Sequence, residues 1–446
     1  MLNYKIKNKI HCFNFMIIFV LCVVFTSCKT SKIMISTGNV EFVQTNVKQI
    51  SMAAVEGIPI LAWGGVTIQT KERYLELKEC GFNINFIGCR ANIEEVAKGL
   101  DAAYEAGVGM MIHCHELDYD PEKVVHRFKD HPALLGYFLQ DEPIRSDFSR
   151  LNEWIQRIKA IDNKHFYYVD LFPNPYLQYL ETTTYREYIQ LFIKEVPVQF
   201  LSFWNYPITA NSSGERSLDN GWYENLEIIS DEARKAGLSF WTVSLTTAHS
   251  IFPIPTLADL RLQTYSNLAY GAQGIQYFTY GTPSPIYPEG YHDGPIDYAS
   301  QQKTATWYTV QQMNKEIKAL SNVFLGAQVI KVEHIVTNAL GENVDIPAGT
   351  TRFDFTNRPA EASIIKKFII PNNANAVVSF LKNGKRFYMV VINRNLSGGA
   401  NVTFTVKGGS GLQLIKKDGT AVLAVLKSSK QTITPGDVLI YGWDIK

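Results

Sequence analysis

At 446 residues the chain is longer than one ordinary domain, and its 46% hydrophobic and 12% aromatic content describes a globular protein with ample core. A formal net charge of +1, with no block of like charge beyond the N-terminus, offers no polycationic footprint and argues against a nucleic-acid partner. Two domains are the expectation.

Lys5, Lys7 and Lys9 precede an apolar run from Phe13 to Phe25 that ends in Thr26-Ser27-Cys28. Residues 1–27 therefore read as a signal peptide, because the run is shorter than the ~20 apolar residues of a spanning helix and polar residues follow at once. Phe25-Thr26-Ser27-Cys28 resembles a bacterial lipobox, which implies that Cys28 is acylated and tethers an exported protein to a membrane; an ordinary cleavage site is the alternative. Residues 28–50 read as the tether. Of the remaining thiols, Cys80 falls at a helix end while Cys89 and Cys114 fall on apolar strands, so all three are expected to be buried small hydrophobes rather than a disulfide framework. A cluster of Cys114 with His113 and His115 would bind metal, but strand alternation turns the histidines to the face opposite the thiol.

From Gly57 onward short apolar runs alternate with amphipathic stretches. Eight such strands are expected, at Ile58–Trp63, Ile84–Cys89, Val108–His115, Gly136–Asp141, Phe166–Asp170, Phe200–Trp204, Leu238–Leu245 and Gly274–Tyr280. Helical patterns such as Lys71–Cys80, Glu94–Ala106 and Tyr223–Ala236 separate them, with Gly81, Gly107 and Gly237 as stops. Repeated βα units require parallel strands, and eight close most naturally into a (β/α)₈ TIM barrel, assigned to residues 51–324. An open doubly wound sheet is the fallback, but no Gly-x-Gly-x-x-Gly follows the first strand and no dinucleotide cofactor is implied. Beyond Leu320 the period becomes two, with strands at Phe387–Ile392, Val402–Val406 and Val438–Tyr441 and hairpin turns at Asn383-Gly384 and Asp418-Gly419. Residues 325–446 therefore read as a C-terminal antiparallel β-sandwich, more a packing partner for the barrel than a sugar-binding module.

A barrel carries its chemistry at the C-terminal ends of its strands. The acids expected there are Glu116 after the third strand, Asp141 and Glu142 after the fourth, and Asp170 at the end of the fifth; Asp118 and Asp120 fall further along a loop. In Leu135-Gly136-Tyr137-Phe138-Leu139-Gln140-Asp141-Glu142-Pro143 an apolar strand runs straight into two acids. Like charges held side by side out of water raise carboxyl pKa values into the range of a general acid. The plain alternative is that Asp141 caps the next helix while Glu142 faces solvent.

These residues resemble the clan of barrel glycoside hydrolases that includes β-galactosidases and endo-glucanases, whose acid/base glutamate ends strand four directly after an asparagine. The resemblance implies that Glu142 is the proton donor acting on an oligo- or polysaccharide. Two departures accompany it. Asp141 stands where the asparagine would be, and the seventh strand, running into Thr246-Thr247-Ala248-His249, has no glutamate where the clan's nucleophile would be. Asp170 is the leading substitute, with Glu116 next and Glu289 or Asp293 of the long loop after strand eight behind it. A substrate N-acetyl group could also replace the missing acid, and a barrel that binds glycans without cleaving them is the competing reading.

Sugar rings stack on aromatic faces while their hydroxyls seek polar groups. Trp63, Trp204, Tyr206, Trp241 and Tyr280 fall at or near strand ends, and about half are expected in the cleft. Arg90, His115, Asn205 and His249 are candidate hydrogen-bonding partners of hydroxyls. No metal site is expected.

Overall fold

The computed structural model describes residues 55–88, 91–219, 221–424 and 429–445. Eight parallel strands close a barrel: β1 (Ile60–Trp63), β2 (Ile84–Ile87), β3 (Gly109–Ile112), β4 (Leu134–Asp141), β5 (Phe166–Leu171), β6 (Phe200–Trp204), β7 (Ser239–Leu245) and β8 (Gly274–Phe278). Each pairs with its sequence neighbours, and β1 pairs with both β2 and β8, so the sheet has no edge. Each expected strand is present, most of them a few residues shorter. The open doubly wound sheet is thereby ruled out.

The intervening helices form where apolar periodicity and end signals coincide. Helix Ile93–Ala106 starts at Asn92, whose side chain accepts the Glu94 and Glu95 amides while the Glu95 carboxylate returns to the Asn92 amide at 2.9 Å. It stops at Gly107, which takes φ +67°. Strand residues alternate between two apolar layers. One faces these helices, and the other fills the barrel with aromatic rings. Trp63, Phe86, Phe138 and Tyr168 form an upper interior layer with centroids 4.7 to 5.3 Å apart between contacting rings. Phe166, Phe200 and Trp241 form a lower one.

The C-terminal region is a sandwich of a six-stranded antiparallel sheet, ordered Gln328–Val336, Asn375–Asn383, Arg386–Asn393, Val438–Asp444, Gln413–Ile415 and Ala421–Leu423, and a three-stranded sheet of Ile365–Ile369, Val402–Gly408 and Ser429–Ile433. Both expected hairpin turns are present, with Gly384 at φ +58° and Gly419 at φ +80°. The central strands are buried on both faces. Val378 and Phe380 enter the sandwich core, while Val377 and Leu381 join the core of the barrel's helical layer. Polar ties reinforce this docking: Ser379 donates to the Ala269 carbonyl at 2.7 Å, and the Arg394 guanidinium lies 4.5 Å from the centroid of the Tyr223 ring.

Gly436, in the turn before the last strand, sits against the start of helix Leu257–Ala269. It has φ +71°, and a Cβ there would lie 2.0 Å from the Ala258 carbonyl oxygen. Gly436→Ala is therefore expected to destabilise the protein by more than about 1 kcal/mol in denaturant unfolding. Gly411→Ala, at φ +95° with open space around its Cβ, carries only the backbone term and should cost less.

Candidate active site

The sequence of β4 alternates inward and outward until Phe138, and unbroken alternation would then aim Gln140 inward and Asp141 at the helices. A register irregularity between Phe138 and Gln140 reverses this. Leu139 joins the helical layer. Gln140 also turns outward, where it bonds Asp147 and Arg150. Asp141 then comes inward as the register partner of Asp170 on β5. Such bulges re-aim side chains beside functional sites. His113 braces this one, its Nδ1 donating at 3.0 Å to the Phe138 carbonyl.

Glu142 follows at φ +52°, a left-handed conformation that a glutamate holds only when its surroundings impose it. Two bonds pin the backbone here. The Glu142 amide donates to the Asp170 carbonyl at 2.8 Å, and the Tyr188 hydroxyl donates to the Pro143 carbonyl at 2.6 Å. The reading of Asp141 as a helix cap with Glu142 in water does not hold.

Asp141, Glu142 and Asp170 thus share one desolvated corner of the barrel mouth, and Asp170 is only 2% exposed. Burial pushes the Glu142 carboxyl up to about 8, the Asp170 charge adds to this, and a hydrogen bond from Trp204 opposes it. Burial pushes Asp170 up to about 7 against a hydrogen bond from Ser202. Asp141 is raised well above the carboxylate range by burial and then by the charges of Glu142 and Asp170. No basic side chain among the described residues relieves any of the three. A group that keeps a proton near neutrality beside one that gives it up can act as an acid and base pair.

Of the expected aromatic residues, Trp204 bonds Glu142 and stacks near Tyr206, centroids 5.0 Å apart, so both line this corner. Trp63 belongs to the interior layer immediately below. Two expectations are corrected. Trp241 lies early in β7 in the lower layer, against Phe200 at 4.6 Å, rather than at the mouth. Tyr280 packs on Phe82 in the helical layer, centroids 5.3 Å apart, facing away from the interior. All five aromatic residues are buried, where about half were expected in an open cleft. Bulky aromatic side chains fill the barrel itself.

Among the polar candidates, His249 is buried between Phe252 and Tyr291 beyond β7. Asn205 is tied to Asn225 of helix Gly221–Ala236 at 3.1 Å. His115 is exposed, and Glu116 accepts the Ile93 amide at a helix start, which removes it from the carboxyl cluster. Arg90 and Cys89 lie outside the described residues. Asp293 is exposed and paired with His292 at 2.7 Å, whereas Glu289 is half-buried near His249 and Tyr291. Cys80 and Cys114 are buried free thiols. Among the described residues no group of histidine, cysteine or acidic side chains is arranged to hold a metal ion. Sequence reasoning did not single out Tyr168, Ser202, Gln276 or Tyr291, although a serine and a glutamine inside the apolar strands β6 and β8 are a visible signal.

A family model described as beta-galactosidase matches residues 178–320, the part of the barrel after β5. No curated protein matches the chain. Among solved structures, the chain is similar to a glycoside hydrolase family 5 protein from Bacteroides vulgatus, with 12% identity and a TM-score of 0.54 over 90% of this chain and 95% of that one. It is also similar to a protein described as a glycoside hydrolase, with 14% identity and a TM-score of 0.51 over 87% and 92%. At such identities the likeness speaks for the fold alone, a (β/α)₈ barrel.

A carboxyl whose pKa is raised on folding binds more protons in the folded than in the unfolded chain between the two values, so stability falls as pH climbs through that window. For Glu142 the window runs from the ordinary 4.5 to about 8. Glu142→Gln is therefore expected to unfold at a higher temperature than the parent, by a margin that widens from about pH 4.5 to about pH 8 and then levels. Scanning calorimetry across that range checks it.

Proposed function

We propose that the protein hydrolyses glycosidic bonds of an oligo- or polysaccharide, with Glu142 as general acid and Asp170 as the second carboxylate. The observation that carries this is the unrelieved cluster of Asp141, Glu142 and Asp170 at the C-terminal ends of β4 and β5. In this reading Glu142 gives its proton to the departing glycosidic oxygen. Asp170, ionised first, faces the positive charge that develops on the sugar and serves as base or nucleophile, depending on whether the carboxyl groups stand about 5 to 5.5 Å or 6.5 to 9.5 Å apart. Asp141 keeps its proton and donates to a sugar hydroxyl. Trp204, hydrogen-bonded to Glu142, and Tyr206 wall the corner beside the reacting groups.

A second reading, a barrel that binds glycans without cleaving them, is favoured by one observation: β7 runs into Thr246-Thr247-Ala248-His249 with no acid. Product release from a glycan panel separates the two. Glu142→Gln should lower turnover about 10²- to 10⁴-fold while binding persists. Undiminished turnover removes Glu142 from the mechanism, and binding without any cleavage by the parent protein favours the second reading.

We also propose that the protein is exported and held at a membrane through acylated Cys28, a setting in which polysaccharide is met outside the cytoplasm. Residues 1–54 lie outside the described residues, and among the others no helix is long and apolar enough to cross a membrane. Cys28→Ala should abolish incorporation of labelled palmitate and move the protein from the membrane to the soluble fraction.

A further inference from the structure

Beneath the carboxyl cluster, buried polar side chains form a connected file across the barrel interior, with Ser202 close to Tyr168 as well as to Gln276. The Trp63 indole on β1 donates to the Tyr168 phenol oxygen on β5 at 2.6 Å, and the Tyr168 hydroxyl donates to Gln276 Oε1 on β8. Gln276 Nε2 donates to Ser202 Oγ on β6 at 2.7 Å, and Ser202 donates to Asp170 Oδ1. All four residues leading to Asp170 are buried.

The polarity of this file is set at its far end. An indole N–H can only donate. Tyr168 accepts that hydrogen and gives its own to the Gln276 carbonyl oxygen, which leaves the Gln276 amide nitrogen facing Ser202. Ser202 receives a hydrogen from Gln276 and has one left, which goes to Asp170. Reversing Gln276 would put its amide nitrogen beside the Trp63 N–H on the Tyr168 oxygen and its carbonyl oxygen on Ser202, drawing the Ser202 hydrogen away from Asp170 and leaving that buried acid without its donor.

We propose that Trp63, Tyr168, Gln276 and Ser202 form a one-way hydrogen-bond relay that makes Asp170 the first of the three clustered acids to ionise, so that Glu142 and Asp141 retain their protons. An acceptor-only position at Oδ1 suits a carboxylate, whereas neither neighbouring acid ends such a file. The titratable groups that feel the Asp170 charge are Asp141 at the end of β4 and Glu142 just after it, Tyr168 on its own strand, Tyr206 beyond β6, and Tyr185 and Tyr188 on the helix outside. The tyrosines are all raised, hence neutral, and leave the contest to the three acids. The four relay members are positioning residues acting through Asp170. Their catalytic use rests on the function proposed above, but the order of ionisation does not.

The test is an NMR titration of the folded protein carrying carboxyl-¹³C aspartate, with Asp170→Asn identifying the resonance. Ser202→Ala is expected to raise the Asp170 midpoint by on the order of one pKa unit. Ser202→Thr, which restores a hydroxyl, should bring it back. Trp63→Phe should raise it in the same direction without touching Asp170, and Gln276→Met provides the same interruption if the tryptophan variant does not fold. On any substrate that is cleaved, the acidic limb of the pH–rate profile should move with the midpoint. An Asp170 midpoint unmoved by Ser202→Ala and by interruption further up the file, or Asp141 titrating before Asp170 in the parent protein, overturns the proposal. Because the titration needs no substrate, an absence of glycan cleavage would count against the glycosidase reading alone. An unmoved midpoint alongside cleavage would count against the relay alone.

Discussion

Three carboxyl groups crowded at the ends of two neighbouring strands, Asp170 buried and Asp141 and Glu142 half-buried, with no basic side chain among the described residues to relieve them, are the constraint around which the barrel mouth is organised. Water would ionise all three near neutrality. Desolvation and mutual repulsion prevent that, so the site holds protons that an exposed cluster would have lost. A structural ion-pair network would relieve such strain with an arginine or lysine, as Glu316 is relieved by Arg261 elsewhere in the barrel. Leaving it unrelieved costs stability, and a fold tolerates that cost where the stored protonation state is used.

The surrounding structure is what keeps the strain in place. A bulge turns Asp141 inward, His113 braces the carbonyl at that bulge, and hydrogen bonds fix the backbone on both sides of Glu142 in a conformation that glutamate seldom adopts. Below, the interior rings of Trp63, Phe86, Phe138 and Tyr168 exclude water from the floor. Two members of that layer, Trp63 and Tyr168, also carry the polar file to Asp170. Packing and electrostatics are therefore handled by the same side chains.

Much of this was legible in the sequence, and the parts that were not share a cause. The eight barrel strands announce themselves as apolar runs separated by helices with glycine stops, and the acids ending the fourth and fifth strands follow from their placement. Side-chain direction was harder to read. A bulge leaves no mark in a strand such as Leu134–Asp141, so period-two reasoning misdirects its last residues. Trp241 and Tyr280 look alike as aromatic residues of late strands, but depth along one strand and the outward turn of the other decide their surroundings. The sandwich hides its strands differently. Asn375–Asn383 is buried on both faces, so it reads as continuous apolar sequence and lacks the alternation that marks a solvent-facing sheet.

Carboxyl groups are unevenly divided across the mouth. Asp141, Glu142 and Asp170 crowd the β4–β5 wall, while Phe278 at the end of β8 packs with His249 of the loop after β7 and Tyr291 of the loop after β8 as an aromatic group with centroids 4.8 to 6.0 Å apart. Burial lowers the pKa of His249, which favours its neutral form, and half-buried Glu289 lies close to both His249 and Tyr291. In the proposed function a sugar at the mouth would meet the three carboxyl groups on one side and this buried aromatic group, with Glu289 beside it, on the other. Positive charge growing on the sugar in the proposed reaction is drawn toward the wall that carries three carboxyl groups rather than the one that carries Glu289 alone. The second carboxylate is then best sought beside Glu142 rather than opposite it. That favours Asp170, the acid for which the barrel interior has built an acceptor position.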